Sequence, residues 1–277
     1  MSSGLSIIIP AHNEAGLIGA CLGALVAASD VSGAVQVIVA ANGCTDQTVA
    51  EAEQSRGALA QRGWQFDVLD LPVGGKPGAL NAADAAALHD ARIYLDADVT
   101  VSPALLAQLQ QALAAPGVVY ASGQVKIIGG PGWVSRAYAR LWRRVPFMRA
   151  GVPGCGLFAV NAAGRARWAA FPQIIADDTY VRLQFAPDER IGLPASYNWP
   201  IAPSFAALVR VRQRQDAGVR EVAQKYPALM ANEDKPGPDA GGLLRLAAPD
   251  PIGFAVYSAV AVATRLRRSS GGWSRSR

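Results

Sequence analysis

Histidine is almost missing from this 277-residue sequence, with two residues, and cysteine stops at three. Neither histidine has a second at ligand spacing, which argues against a histidine-built metal centre. His12 reads as a loop residue and His89 as a helix-end residue. Cys21, Cys44 and Cys155 lie far apart and match no zinc or redox spacing. Their odd number argues against a disulfide framework and predicts buried or semi-buried thiols in a reducing compartment. Long apolar runs are also missing. The nearest, residues 252–263, is shorter than the roughly 20 residues of a spanning helix. The opening Met1-Ser2-Ser3-Gly4 has no basic region and is followed by only a short apolar run, so no signal peptide is expected.

What the chain does have is apolar bulk, 51% of residues, much of it alanine. That amount suits one large, helix-rich α/β domain with a short extension. The net charge is +5 and unevenly placed. Arg136, Arg140, Arg143, Arg144 and Arg149 share one acid-free window; Arg265, Arg267, Arg268, Arg275 and Arg277 share another. Clustered arginine favours phosphate-bearing partners. No nucleic-acid-binding module accompanies it, so none is expected as a partner.

Taken in order, the chain alternates. Leu5-Ser6-Ile7-Ile8-Ile9-Pro10 predicts a buried first strand, and Leu17, Ile18, Cys21, Leu22, Leu25 and Val26 recur at helical spacing. Residues 35–41 read as a second strand, with turn residues 42–46 opening a helix near Gln47. Residues 66–71 read as a third strand. A loop, Pro72-Val73-Gly74-Gly75-Lys76-Pro77-Gly78, then leads into an alanine-rich helix. Such alternation implies right-handed crossovers in one parallel sheet. Pro103 opens a helix with Leu105, Leu106, Leu109 and Leu113 inward; residues 133–145 read as a helix mixing Trp133, Tyr138 and Trp142 with arginines. Residues 233–239 read as an exposed loop and 271–277 as a disordered tail.

The fourth strand carries the chemistry. Ile93-Tyr94-Leu95 runs straight into Asp96-Ala97-Asp98. A strand apolar on both faces is central in a covered parallel sheet, and ligands bind beyond the carboxyl ends of such strands. Two hard oxygen donors there suit Mg²⁺ or Mn²⁺ with a phosphate as a further ligand. The bland reading is a strand-end pair capping the next helix. Asp177-Asp178 has its own bland reading, acids at a helix N-terminus facing the macrodipole.

Four motifs in order, Ser6-Ile7-Ile8-Ile9-Pro10-Ala11-His12-Asn13-Glu14, Val37-Ile38-Val39-Ala40-Ala41-Asn42-Gly43-Cys44-Thr45-Asp46, Asp96-Ala97-Asp98 and Asp177-Asp178, resemble the family 2 glycosyltransferases of GT-A fold. The resemblance covers roughly residues 5–190. It implies a Rossmann-like, mostly parallel central sheet with helices on both faces. A glycosyltransferase domain would span residues 1–215, with a helical extension and basic tail over 216–277. It implies that Pro10, Ala11 and Glu14 cradle base and ribose, and that Asn42, where the family usually has aspartate, contacts the base through its amide. It further implies that Lys76 reaches the donor, that Asp98 is the principal metal ligand with Asp96 nearer the ribose, and that Asp178 is the catalytic base beside Asp177. The reaction implied is metal-dependent transfer with inversion, from a UDP- or GDP-sugar to a hydroxyl acceptor, lipid-linked among the candidates.

The departures set the finer expectations. Processive relatives carry Gln-x-x-Arg-Trp; Arg210-Val211-Arg212-Gln213-Arg214-Gln215-Asp216 has no tryptophan, and spanning helices are missing. A non-processive enzyme is expected, cytoplasmic and peripheral at a membrane's inner face. Residues 133–145 and 252–268 are the candidate contacts there. The alternatives are a degenerate nucleotide-binding scaffold and, further off, a haloacid-dehalogenase-like phosphatase reading of Asp96-Ala97-Asp98-Val99-Thr100. The phosphatase would place that motif on the first strand and leaves Ile8-Ile9-Pro10-Ala11-His12-Asn13-Glu14 unexplained.

Overall fold

Apolar runs broken by turn residues fold the first half of the chain into strand–helix units. The computed structural model describes residues 4–235 and 240–266. In it β1 (Leu5–Ala11) leads to α1 (Ile18–Val26), and β2 (Val35–Asn42) to α2 (Thr48–Glu53) and α3 (Arg56–Gln61). Next, β3 (Gln65–Leu71) leads to α4 (Lys76–Ala86), and β4 (Ala91–Leu95) stops at the Asp-Ala-Asp turn. The single helix expected from Gln47 is thus two short ones, broken at Gln54-Ser55.

After the turn come β5 (Thr100–Val101), α5 (Leu105–Leu113), β6 (Tyr120–Ile128), α6 (Trp133–Trp142), α7 (Pro146–Ala150) and β7 (Leu157–Val160). Then follow α8 (Ala162–Arg165), α9 (Asp177–Arg182), β8 (Arg190–Pro200), α10 (Phe205–Lys225), α11 (Ala240–Ala247) and α12 (Pro251–Leu266). The strands form one sheet in the order β3-β2-β1-β4-β7-β6-β8-β5. The first four are parallel, and β7 lies antiparallel beside β4, pairing Leu157 with Leu95.

Every residue of β1 and β2 is buried, because both faces of this sheet are covered. Ile7 and Ile9 pack with Ile18, Leu22 and Leu25 on one face; Ile8 packs with Leu80, Tyr94 and Phe158 on the other. Leu105, Leu106, Leu109 and Leu113 of α5 are all buried, as their spacing requires. Asp84 fixes α4 against β4 by accepting from Arg92 Nη1 at 2.6 Å and Tyr94 Oη at 2.7 Å, with Arg165 on its other oxygen.

The sequence does not announce β8, whose run contains Gly192 and Pro194 and buries Arg190. It pairs parallel to β6, with an irregularity at Ser122/Gln124. Beyond it α10 runs unbroken through residue 215, and α12 packs on α6 and α10 through Val256 and Val260. Ile252, Val262 and Leu266 of α12 are exposed.

The loop expected at 233–239 is pinned rather than free over its first part. The nearly inaccessible Arg182 bonds Glu233 at 2.6 Å and Asp234 at 2.7 Å, and Arg190 bonds Asp234 at 2.8 Å. Two buried guanidiniums require counter-ions, and this segment supplies them. Residues 236–239, Arg267, Arg268, Arg275, Arg277 and the tail expected at 271–277 lie outside the described residues. Cys21 is buried and Cys44 and Cys155 are half-buried free thiols, as expected.

Candidate active site

Four charged side chains from three separated segments meet where the parallel strands end. Lys76 opens α4, and its ammonium lies 2.9 Å from Asp96 Oδ1 and 3.1 Å from Asp177 Oδ2. Asp178 follows on α9, half-buried, with its Oδ1 accepting from the Thr179 N–H at 2.6 Å. Pro10 of β1 lines the same small hollow as Lys76, Asp96, Asp177 and Asp178. Elements far apart in sequence therefore converge at one sheet edge, where βα architecture places ligands.

Local sequence explains the positions. The Gly74-Gly75 pair lets the chain turn sharply into α4, Gly75 taking a φ of 144°. Lys76 then stands at the first turn of an 11-residue helix, whose N-terminus favours anions. On the far side Gly154 and Gly156 take positive φ, and a Cβ on Gly156 would meet Trp199 and Val99 at 2.9 Å. Only glycine fits there, and the Gly156 carbonyl accepts from the Asp96 N–H at 2.8 Å, holding the Asp-Ala-Asp turn in place. The Gly-Cys-Gly directly before an apolar strand is the sequence signal of this turn.

Electrostatics follow from this packing. Burial pushes Asp177 up to about 6, against the pull of the Lys76 charge and with Asp178 and Asp96 adding to the rise. Burial works against the charge on Lys76, but Asp177 and Asp96 outweigh it and hold the ammonium protonated. Cys21 is pushed up by burial and by the charges of Asp98, Asp96 and Glu14, so those three acids face one neighbourhood.

The remaining expected residues form the adjoining wall. Glu14 accepts through its carbonyl from Leu17 and Ile18, starting α1, while its N–H donates to Thr48 Oγ1 at 2.7 Å. The N–H groups of Ala15 and Gly16 donate to Asp46 and Glu51, so the loops after β1 and β2 are fastened together. Asn42 is buried at 2% exposure. Its Nδ2 donates to the Ala11 carbonyl at 2.7 Å and its Oδ1 accepts from the Gly75 N–H at 2.9 Å. The structure thus sets Asn42 beneath the glycine loop, where its amide ties β1, β2 and the start of α4. His12 rests against the Asn42 carbonyl.

No cluster of three His, Cys, Asp or Glu side chains suited to a metal occurs among the described residues. Asp96 and Asp98 still fit a divalent cation, since Mg²⁺ is characteristically held by one or two carboxylates together with substrate phosphates. In keeping with that, Asp96 already faces a cation, the Lys76 ammonium.

A groove of about 1450 Å³ leads away from the carboxylates between α6, α7, α10 and α12. The sequence places Trp142 in a helix mixing aromatics with arginines and Arg212 in a stretch without tryptophan, and it does not single out Trp199 or Tyr257; the groove brings the four together.

Comparisons with known proteins agree with this fold. The family model described as Glycosyl transferase family 2 matches residues 6–166. A mannosyltransferase from Pyrobaculum calidifontis, solved with GDP-Man and Mn²⁺, is similar at 19% identity and a TM-score of 0.59, over 97% of this chain and 77% of that one. TarS 1-349 from S. aureus with UDP is similar at 16% identity and a TM-score of 0.57, over 88% and 70%. Glucosyl-3-phosphoglycerate synthase from Mycobacterium tuberculosis, with Mn²⁺, UDP and its product, gives 18% and 0.54, over 86% and 82%.

Proposed function

The chain belongs to glycosyl transferase family 2, and from that premise we propose that it moves a sugar from a nucleotide diphosphate sugar to a hydroxyl acceptor by a single inverting displacement. Its fold is the GT-A fold expected from the motifs, and it is a glycosyltransferase. The observation that carries the finer reading is the meeting of Lys76, Asp96, Asp177 and Asp178 at the mouth of one groove.

In this reading Pro10, Ala11 and Glu14 cradle the base and ribose, while Asn42, expected to contact the base through its amide, has that amide tied to Ala11 and Gly75 and acts from beneath by setting the Gly75 N–H. Lys76 and the N-terminus of α4 meet the diphosphate. Asp98, with Asp96 beside it, would hold Mg²⁺ or Mn²⁺, whose chemistry there is neutralisation of charge on the departing diphosphate. Asp178 takes the proton of the attacking hydroxyl as general base, and buried Asp177 positions it by anchoring Lys76. Holding donor and acceptor in line supplies much of the remaining rate.

No helix among the described residues is long and apolar enough to cross a membrane, and the non-processive reading rests on residues 210–216, which have no tryptophan. Exposed Leu244, Ile252 and Leu266 of α11 and α12, with Arg265 on α12 and exposed Arg136 and Arg140 on α6, support a peripheral contact with an anionic bilayer from the cytoplasmic side. Residues 1–215 would carry the transfer chemistry and 216–277 the helical extension.

The test is a thermal-shift screen of UDP, GDP, dTDP and CDP with and without Mn²⁺, on wild type and Asp98→Ala. A ligand of the folded state raises the melting temperature by mass action. One nucleotide should stabilise wild type only with metal, and Asp98→Ala should lose that shift. Stabilisation by no nucleotide under either condition would sink the reading.

A further inference from the structure

The groove is larger than its charged end requires. Its 1450 Å³ exceeds the roughly 300–1,000 Å³ of ordinary small-molecule sites. Away from the carboxylates its walls mix apolar side chains, Phe147, Leu246, Phe254 and Val262 among them, with charged ones such as Arg214, Asp216 and Arg265.

An aromatic wall runs along it. Trp199, which packs against Gly156 beside Asp96, has its ring 5.3 Å from that of Trp142. Trp142 lies 5.4 Å from Tyr138, and Tyr138 stacks 5.0 Å from Tyr257. At the end of this series the Arg212 guanidinium sits 4.9 Å from the Tyr257 ring centroid and donates to Tyr138 Oη at 3.3 Å.

Arg212 is half-buried, and no carboxylate among the described residues ion-pairs with it. The two fully buried arginines differ: Arg182 and Arg190 both have acidic partners. The partners of Arg212 are the neutral Tyr138 hydroxyl and Tyr257 ring, and a half-buried guanidinium without a carboxylate partner favours an anion from the groove. The planar guanidinium fork matches phosphate in particular. At the open end Val262 is 52% exposed, and Leu244 and Leu266 of the same helical layer are 70% and 79% exposed, beside Arg265. The channel therefore offers carboxylates, then a cation, then an apolar way out.

We propose that the groove binds the acceptor as a phosphate-linked lipid: its hydroxyl-bearing headgroup reaches Asp178, its phosphate pairs with Arg212, and its hydrocarbon chain leaves past Val262. This rests on the glycosyltransferase reading of Asp178. In the transfer, a bond forms between the acceptor oxygen and the anomeric carbon as the bond to the diphosphate oxygen breaks. The acceptor proton passes to Asp178, and the electron pair leaves with the nucleoside diphosphate.

Calorimetric titration of the full chain with dodecyl phosphate, dodecyl maltoside and inorganic phosphate, the detergents below their micellar concentrations, separates the elements of this ligand. Dodecyl phosphate should bind roughly tenfold tighter than the uncharged maltoside, about 1.4 kcal/mol, and inorganic phosphate far more weakly than either. Arg212→Met should erase the preference for phosphate while leaving maltoside binding as it was, and Arg212→Lys should restore part of it. Val262→Glu should weaken both detergents. Equal binding of the two by wild type, or a preference that survives Arg212→Met, would overturn the proposal. The nucleotide thermal shift, run on each variant, keeps the two readings apart. If it persists without lipid selectivity, only the lipid inference falls; if it is absent in wild type, the transferase reading falls.

Discussion

The four-stranded parallel region and the helical layer of α6, α10 and α12 solve opposite problems. In the first, two adjacent strands are buried along their whole length and no side chain is left over. In the second, Val262 and Leu266 stay in the open while aromatic rings line a groove. A closed core fixes the ends of its strands to within the tolerance of close packing. That suits the carboxylates and lysine, whose ion pairs are only about 3 Å long. The open layer, where Arg140 meets Asp250 at 3.3 Å, leaves a groove between its helices instead. One half provides positions, the other provides room.

Three changes would break or sharpen this contrast. The largest effect is expected from Asp178→Asn, which keeps size and removes the base. Transfer should fall roughly 10²–10⁴-fold in kcat with nucleotide binding retained, as read by turnover beside the thermal shift. Retained turnover would assign the base elsewhere. Next comes packing. Leu22→Ala in the closed region should cost about 2–5 kcal/mol in denaturant melts. Val262→Ala in the open layer should stay within about 0.5 kcal/mol. Similar costs would erase the distinction between the halves.

The smallest effect is expected from acid. Burial raises Glu233 and Asp234, but the Arg182 and Arg190 partners outweigh it and hold both carboxyls below their ordinary values. A depressed folded value gives stability that is present above the unfolded value and lost as pH falls through the folded one. Below about pH 4 the tie between α9 and residues 233–235 should therefore loosen before the sheet does. Amide exchange would show it, with β1 and β2 still protected.

The same contrast decides what could be read in advance. β1, β2 and β4 were legible because a strand buried on both faces must be written as an unbroken apolar run. Asp96 and Asp98 were legible because they stand directly after one. β8 was not, since its most buried charged residue, Arg190, is neutralised by Asp234, 44 positions away. The groove was equally silent. Its walls come from residues such as Trp142, Trp199, Arg212 and Tyr257, which share no local period. Asn42 shows a third kind of limit: its place where the family usually has aspartate marked it, but only the fold shows its amide tied to Ala11 and Gly75.

Gly218 of α10 lies against the chain just ahead of Asp177, where a Cβ would come within 2.8 Å of Ala176 and 3.0 Å of its backbone nitrogen. With no side chain between them, helix and loop stand as near as two backbones can. Gly218 thus works as a shim of zero thickness. Each larger residue placed there would lift α10, and Arg212 with it, away from the acid pair by a graded amount. Acceptor choice could therefore be tuned from behind, by a residue the acceptor never meets.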